Sequence, residues 1–129
     1  MSFCEKHTFE DRKRQSQRLK CKYPTRIPVI VQPLPNSSVK QIRQSRFLVP
    51  HDSSAGMFEV CLRKHIIGQG AEFALYYFVD ISKKEFTHIS ENKMFILIPP
   101  VELMGTLYKQ FEKPDGFLYL YYDEEHTFG

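Results

Sequence analysis

The 129-residue sequence predicts an α+β fold, on three observations. Short β-branched or aromatic runs alternate with segments whose apolar residues recur every three or four positions. Proline and glycine turns bound the runs. The apolar content, 42% with 14% aromatic, suffices for one core in a chain of this size without disulfide or metal staples. One compact domain follows, and no apolar run reaches the roughly 18 residues that suggest a membrane span.

Met1 to His7 has neither the hydrophobic stretch of a signal peptide nor a glycine after the methionine for myristoylation, which points to a cytoplasmic protein. Cys4, Cys21 and Cys61 are odd in number and far apart, so reduced thiols are expected rather than a disulfide framework or a metal site, and no cofactor is implied. From Thr8, a plausible N-cap, good helix formers run to Lys22, and Tyr23-Pro24 stops them. The apolar positions of this helix, Phe9, Leu19 and Cys21, give a narrow docking stripe, so the helix is expected on the outside of the domain. Residues 1–26 hold eight Lys/Arg against three acids, leaving ten against twelve in the remainder. Such a face suits acidic lipid, tubulin or nucleic acid. No aromatic residues are interleaved for base stacking, so nucleic acid is not expected and a solvated face is the preferred reading.

Ile27-Pro-Val-Ile-Val-Gln32 reads as a strand, with Ile27, Val29 and Val31 on one face and Pro28 near its start. Arg46 to Pro50 reads as a second strand, closed by proline and flanked by Lys40, Arg43 and Arg46, which are marks of an open sheet edge. Asp52-Ser-Ser-Ala55 then caps a core helix in which Met57, Phe58, Cys61, Leu62, His65 and Ile66 form one stripe, ending at Gly68. Glu72 to Val79, almost wholly apolar or aromatic, reads as a well-covered strand. Residues 81–95 are of mixed polarity and leave a hairpin or a loop open. Pro99-Pro100 opens a further helix with Leu103, Met104, Leu107, Tyr108 and Phe111 on one face. Lys113-Pro-Asp-Gly116 is a turn, and Phe117 to Tyr122 alternates two faces as the last strand, with Tyr119 and Tyr121 anchoring it. The polar residues 123–129 form a tail.

That order (helix, two strands, helix, strand, helix, strand) matches a ubiquitin-like β-grasp over residues 27–129, with residues 1–26 as a basic helical extension packed on it. The terminal Gly129 carries its carboxylate on an unhindered carbon, which suits an acyl group that must enter a narrow enzyme site.

Five ordered blocks then carry a resemblance: Tyr23 to Val31, Arg46 to Pro50, Ala71 to Val79, Met104 to Tyr108 and Asp115 to Tyr119, closing in Thr127-Phe-Gly129. Together they resemble the GABARAP and microtubule-associated-protein light-chain family, the ubiquitin-like modifiers of autophagy. The resemblance implies coupling of Gly129 to phosphatidylethanolamine on the autophagosomal membrane. Activating and conjugating enzymes and a processing cysteine protease would perform the chemistry, the protein itself being no enzyme. Whether Gly129 is the natural end or one exposed by that protease is left open. The resemblance also implies recognition of cargo receptors through an aromatic-x-x-aliphatic motif that adds a strand to the open edge. The first pocket would be lined by Leu19, Pro28, Leu48 and Phe117 with Arg46 over it. The second would be lined by Phe47, Val49, Pro50, Phe58 and Cys61, with Arg26, Arg46 and His65 as edge and charge contacts.

Taken without the family, Val49, Phe58 and Phe117 read as ordinary core. Three positions depart from the family pattern: Ser53 and Cys61 replace larger aliphatics in the second pocket, and His65 replaces an arginine. Residues 81–95 have no counterpart in ordinary relatives. Two rivals differ in kind. An enzyme would use Cys61 and His65, four apart on a helix, as nucleophile and base, but Cys61 falls on the apolar stripe, where a cysteine behaves as a small hydrophobe. A ubiquitin-like adaptor would bind peptides or microtubules without conjugation.

Overall fold

The computed structural model describes residues 2–35, 44–65, 75–82 and 94–124. Five strands form one mixed sheet: β1 (Arg26–Pro33), β2 (Arg46–Pro50), β3 (Leu75–Asp80), β4 (Phe95–Leu97) and β5 (Leu118–Glu124). Their order is β2-β1-β5-β3-β4. β1 and β5 are parallel, and β1/β2, β5/β3 and β3/β4 are antiparallel. The helices are α1 (Phe3–Lys6), α2 (Phe9–Lys22), α3 (Ala55–Arg63) and α4 (Met104–Phe111).

Period-two alternation along the central strands builds a core on each face of the sheet. Ile27, Val29, Val31, Leu118, Leu120 and Tyr122 pack with Phe58 and Leu62 of α3 and with Met104 and Leu107 of α4. On the opposite face Ile30, Phe117, Tyr119 and Tyr121 pack with Phe3 of α1, and Leu19 of α2 joins them. Pro28 is tolerated beside β2 because β5 pairs with β1 only from Val29 onward, so the missing N–H breaks no ladder with β5.

Several expectations need correction. A short α1 precedes the basic helix, held by a capping box between Ser2 and Glu5; the Ser-x-x-Glu spacing signals it. The α2 helix docks through polar residues: Arg12 and Ser16 are its buried side chains, whereas Cys21 is exposed. Only Ala55, Phe58 and Leu62 of α3 are buried, while Met57 is 64% exposed and Cys61 is exposed. The expected stripe was therefore too wide, and α3 stops at Arg63, before Ile66 to Gly68, which lie outside the described residues. β3 is described from Leu75; residues 72–74 also lie outside. β4 was not foreseen. Three residues with Ile96 and Leu97 exposed give no alternation to read, and they acquire strand character by pairing with Phe78 to Asp80; of the stretch 81–95, residues 83–93 lie outside the described residues. α4 begins at Met104 rather than at the prolines, with the exposed Leu103 as its N-cap. β5 begins at Leu118 and extends through Glu124, pairing Asp123 with Tyr76, so the tail starts after the expected Asp123.

One buried polar node joins α2 to β5. Arg12 Nε donates to Asp115 Oδ2 at 2.9 Å, and the same oxygen accepts Tyr119 Oη at 2.6 Å, while Asp115 Oδ1 accepts the Phe117 N–H at 3.0 Å. Ser16 Oγ donates to Asp115 O at 2.5 Å, and a Cβ on Gly116 would lie 2.3 Å from that hydroxyl. Gly116 also has φ +88°, which a side chain would strain. A second buried pair, Lys113 Nζ to Asp80 Oδ1 at 3.1 Å, ties the end of β3 to the turn after α4, and the ammonium also donates to Ser82.

Removing one partner of a buried pair leaves the other charged and desolvated. Asp115→Ala is expected to cost about 3–5 kcal/mol, read as a lower urea midpoint at unchanged slope. Glu59 of α3 supplies a pH test. Its Oε2 is buried without a hydrogen-bond partner among the described residues, and burial raises its carboxyl from 4.5 to about 7. The folded state thus holds this proton more tightly than the unfolded chain, so its favourable contribution is full below pH 4.5 and is lost as pH rises through 7. Glu59→Gln should flatten the stability profile between these values and exceed the native protein in stability at pH 8.

Candidate functional site

The expected open edge is present: β2 lies at the end of the sheet and hydrogen-bonds to β1 alone among the described strands. Its register pairs Arg26 with Pro50, Ile27 with Val49, Pro28 with Leu48, Val29 with Phe47 and Ile30 with Arg46. Alternation turns Phe47 and Val49 toward the core shared with α3 and α4, where both are found. Leu48 and Arg46 take the opposite face, toward α2. The strand therefore offers one free backbone edge between two helices, with a different set of side chains on each side.

On the α2 side, Leu19 and Leu48 are half-buried, Pro28 is buried and Arg46 is exposed. Arg46 Nη1 donates to Gln15 Oε1 at 2.6 Å, which bridges β2 to α2 above these apolar residues. Gln15 Nε2 in turn donates to Asp11 Oδ2 at 3.2 Å, and His7 Nδ1 lies 2.9 Å from the same oxygen. Asp11, held below its usual carboxylate range chiefly by the His7 hydrogen bond, sits at the end of this chain. Gln15 was missed in the sequence, where nothing distinguishes it from other solvated helix residues. Phe117, expected to line the first pocket with part of its surface, presents none of it to solvent. It is fully buried, with the Phe3 ring edge-on at 5.3 Å, so α1 supplies the cover that leaves it in the core.

On the α3 side, Phe47 stands edge-on to both Phe58 and His65, at 5.6 Å and 5.5 Å between ring centroids. Phe58 and Val49 are buried, Phe47 and His65 half-buried, and Pro50 and Cys61 exposed. Ser53 is half-buried, and its N–H donates to Pro50 O at 3.0 Å in the turn leading to α3. Arg26 is exposed at the far end of β1. Cys61 is thus no core hydrophobe, contrary to the stripe reading; it lies on the solvent side of the turn whose other residue, Leu62, is fully buried. Gly129 lies outside the described residues. A cavity of about 290 Å³ lined by Ile81, Ser82, Phe111 and Lys113 lies beside the end of β3, three strands away from β2.

A β-grasp sheet with helices on both faces, a free edge at β2 and a last strand that feeds the chain terminus defines the class of ubiquitin-like proteins. Within that class, the family model for the Autophagy protein Atg8, ubiquitin like, matches residues 11–129. The chain belongs to the Atg8 family of ubiquitin-like autophagy proteins. It is 38% identical over 127 residues to Autophagy-related protein 8 of Schizosaccharomyces pombe, covering 98% of this chain and 93% of that protein. The Dictyostelium discoideum protein of the same name is 36% identical over 129 residues, covering 99% and 93%. Among solved structures, Trypanosoma brucei ATG8 superposes with a TM-score of 0.78 at 30% identity, covering 100% of this chain and 98% of that one. Plasmodium falciparum Atg8 in complex with a Plasmodium falciparum Atg3 peptide gives 0.76 at 27% identity, covering 97% and 99%.

The positions of the three thiols give a direct check. Cys21 and Cys61 are exposed, whereas Cys4 is half-buried with Sγ 3.4 Å from Tyr119 Oη. Native alkylation followed by peptide mass spectrometry should therefore label Cys21 and Cys61 within minutes and Cys4 many-fold more slowly.

Proposed function

We infer that this Atg8-family protein is a conjugable modifier, joined through the carboxylate of Gly129 to phosphatidylethanolamine on the autophagosomal membrane. An activating enzyme takes the glycine as a thioester, a conjugating enzyme relays it to lipid, and a cysteine protease acts on the same carboxyl group. The chemistry belongs to these partners. The protein divides between the cytoplasm and the autophagosome membrane according to conjugation. Its β2 edge recruits cargo receptors that present an aromatic residue and, three positions on, an aliphatic one.

The observation that carries the recruitment reading is the free edge of β2, bounded by α2 on one side and α3 on the other. An extended peptide adds a strand to such an edge, so that main-chain hydrogen bonds supply affinity and alternate side chains entering flanking pockets supply choice. Arg46, exposed beside Gln15, favours acidic residues ahead of the first anchor. The complex of the Plasmodium relative with an Atg3 peptide supports a conjugating enzyme as one peptide partner. The fully buried Phe117 implies that the first pocket opens by displacement of the side chains above it, with Phe117 as its floor.

The two activities separate by mutation. Gly129→Ala should abolish the phosphatidylethanolamine adduct, detected by mass spectrometry of protein from starved cells, while leaving peptide affinity within about twofold, because the docking residues belong to β2, α2 and α3 and sites that share no partners act independently. Phe47→Ala with Leu48→Ala should do the reverse, lowering peptide affinity at least tenfold, the loss of about 1.4 kcal/mol or more, with conjugation retained. Equal peptide binding by that double variant would remove β2 as the docking edge.

A further inference from the structure

Arg46 is exposed on the open strand, and its guanidinium is held by an amide rather than a carboxylate. Nη1 donates to Gln15 Oε1 at 2.6 Å. The other end of the same amide, Nε2, donates to Asp11 Oδ2 at 3.2 Å, one helical turn back along α2. A flipped amide would set donor against donor at Arg46 and acceptor against acceptor at Asp11, so the two contacts fix its orientation. The Asp11 carboxylate is occupied locally, with His7 Nδ1 at 2.9 Å from one oxygen and Arg14 Nη1 at 3.6 Å from the other. Arg12, the buried arginine of α2, faces Asp115. Among the described residues, Arg46 forms no ion pair with a carboxylate.

We propose that Gln15 determines a preference of the β2 edge for acidic peptides, by holding the Arg46 guanidinium in place as a neutral acceptor that leaves its charge to the ligand. The proposal rests on the reading of β2 as a peptide-docking edge. A free arginine side chain loses rotamer freedom when a ligand pins it, and that loss weakens binding. Gln15 removes part of the loss beforehand by tying the head to α2. A carboxylate at residue 15 would tie it equally well, but would form an internal ion pair that an incoming acid must break. The neutral amide is exchanged more readily, because a peptide carboxylate forms a charge-assisted hydrogen bond roughly twice as strong as the neutral one it replaces. Asp11 acts through orientation, since its oxygen keeps the N–H side of the amide turned away from Arg46.

Two fluorescein-labelled peptides test this, both with tryptophan as first anchor and leucine three positions on, preceded by a run of aspartates in one and of asparagines in the other. Anisotropy titration of the full chain at about 50 mM salt, where surface charges are weakly screened, should show the aspartate peptide binding about fivefold tighter. Gln15→Glu keeps an acceptor for Arg46 but cancels its charge, and should bring the ratio below about twofold while the asparagine peptide binds as before. Gln17→Glu adds the same charge at an exposed position on a different face of α2, and should keep the native ratio. Equal binding of the two peptides by the native protein overturns the proposal, as does a native ratio in Gln15→Glu or an equal fall in Gln17→Glu; in each case the groove reading stands. Binding of neither peptide removes the groove reading and the proposal with it.

Discussion

The structure depends on the contact between Arg12 and Asp115. A sheet whose central strands are buried on both faces needs two covers. The first, α3 and α4, is made of ordinary apolar stripes. The second must be made by α2, which is too polar to be held there by hydrophobic burial alone. The ion pair solves this at one point: Asp115 accepts from Arg12, from the Tyr119 hydroxyl and from the Phe117 N–H, so a single carboxylate fixes helix, strand and turn together. Burial and the Asp115 charge both push the Tyr119 phenol far above its ordinary value, so it stays a donor to that carboxylate. Gly116 and Ser16 are the steric complement, since the hydroxyl occupies the room a side chain at residue 116 would need.

That docking shapes the open edge at β2. With α2 seated, Gln15 reaches Arg46 and Leu19 joins the second core, so the α2 side of β2 is furnished by a helix that the ion pair holds in place. The α3 side is furnished by residues whose placement follows from core packing, because Phe58 and Leu62 lock the helix and leave Cys61 outward. The two sides of the β2 edge are thus held by different forces, an ion pair on one and apolar packing on the other.

The elements around that edge were legible to different degrees. Thr8 as a cap, Tyr23-Pro24 as a stop, the β-branched run of β1 and the proline at the end of β2 are local signals, and each was found where it was read. β4 was not legible, because its three residues acquire strand character only from pairing with Phe78 to Asp80. The start of α4 was misplaced by the prolines at 99 and 100, which instead shape a loop bonded to α3, Gly56 N–H donating to Pro100 O at 2.9 Å.

By itself the sequence determined the α+β class, the order of the main elements, the open edge at β2 and the family, because periodicity, caps and breakers are written in neighbouring residues. Tertiary structure alone decided which side chains are inside. Arg12 is buried because Asp115, 103 residues away, waits for it. Phe117 is closed off because Phe3 folds back over it. Cys61 is exposed because Leu62 takes the core position one residue on. Burial of a charge or a thiol depends on its partner across the fold, and that partner is not adjacent in the chain.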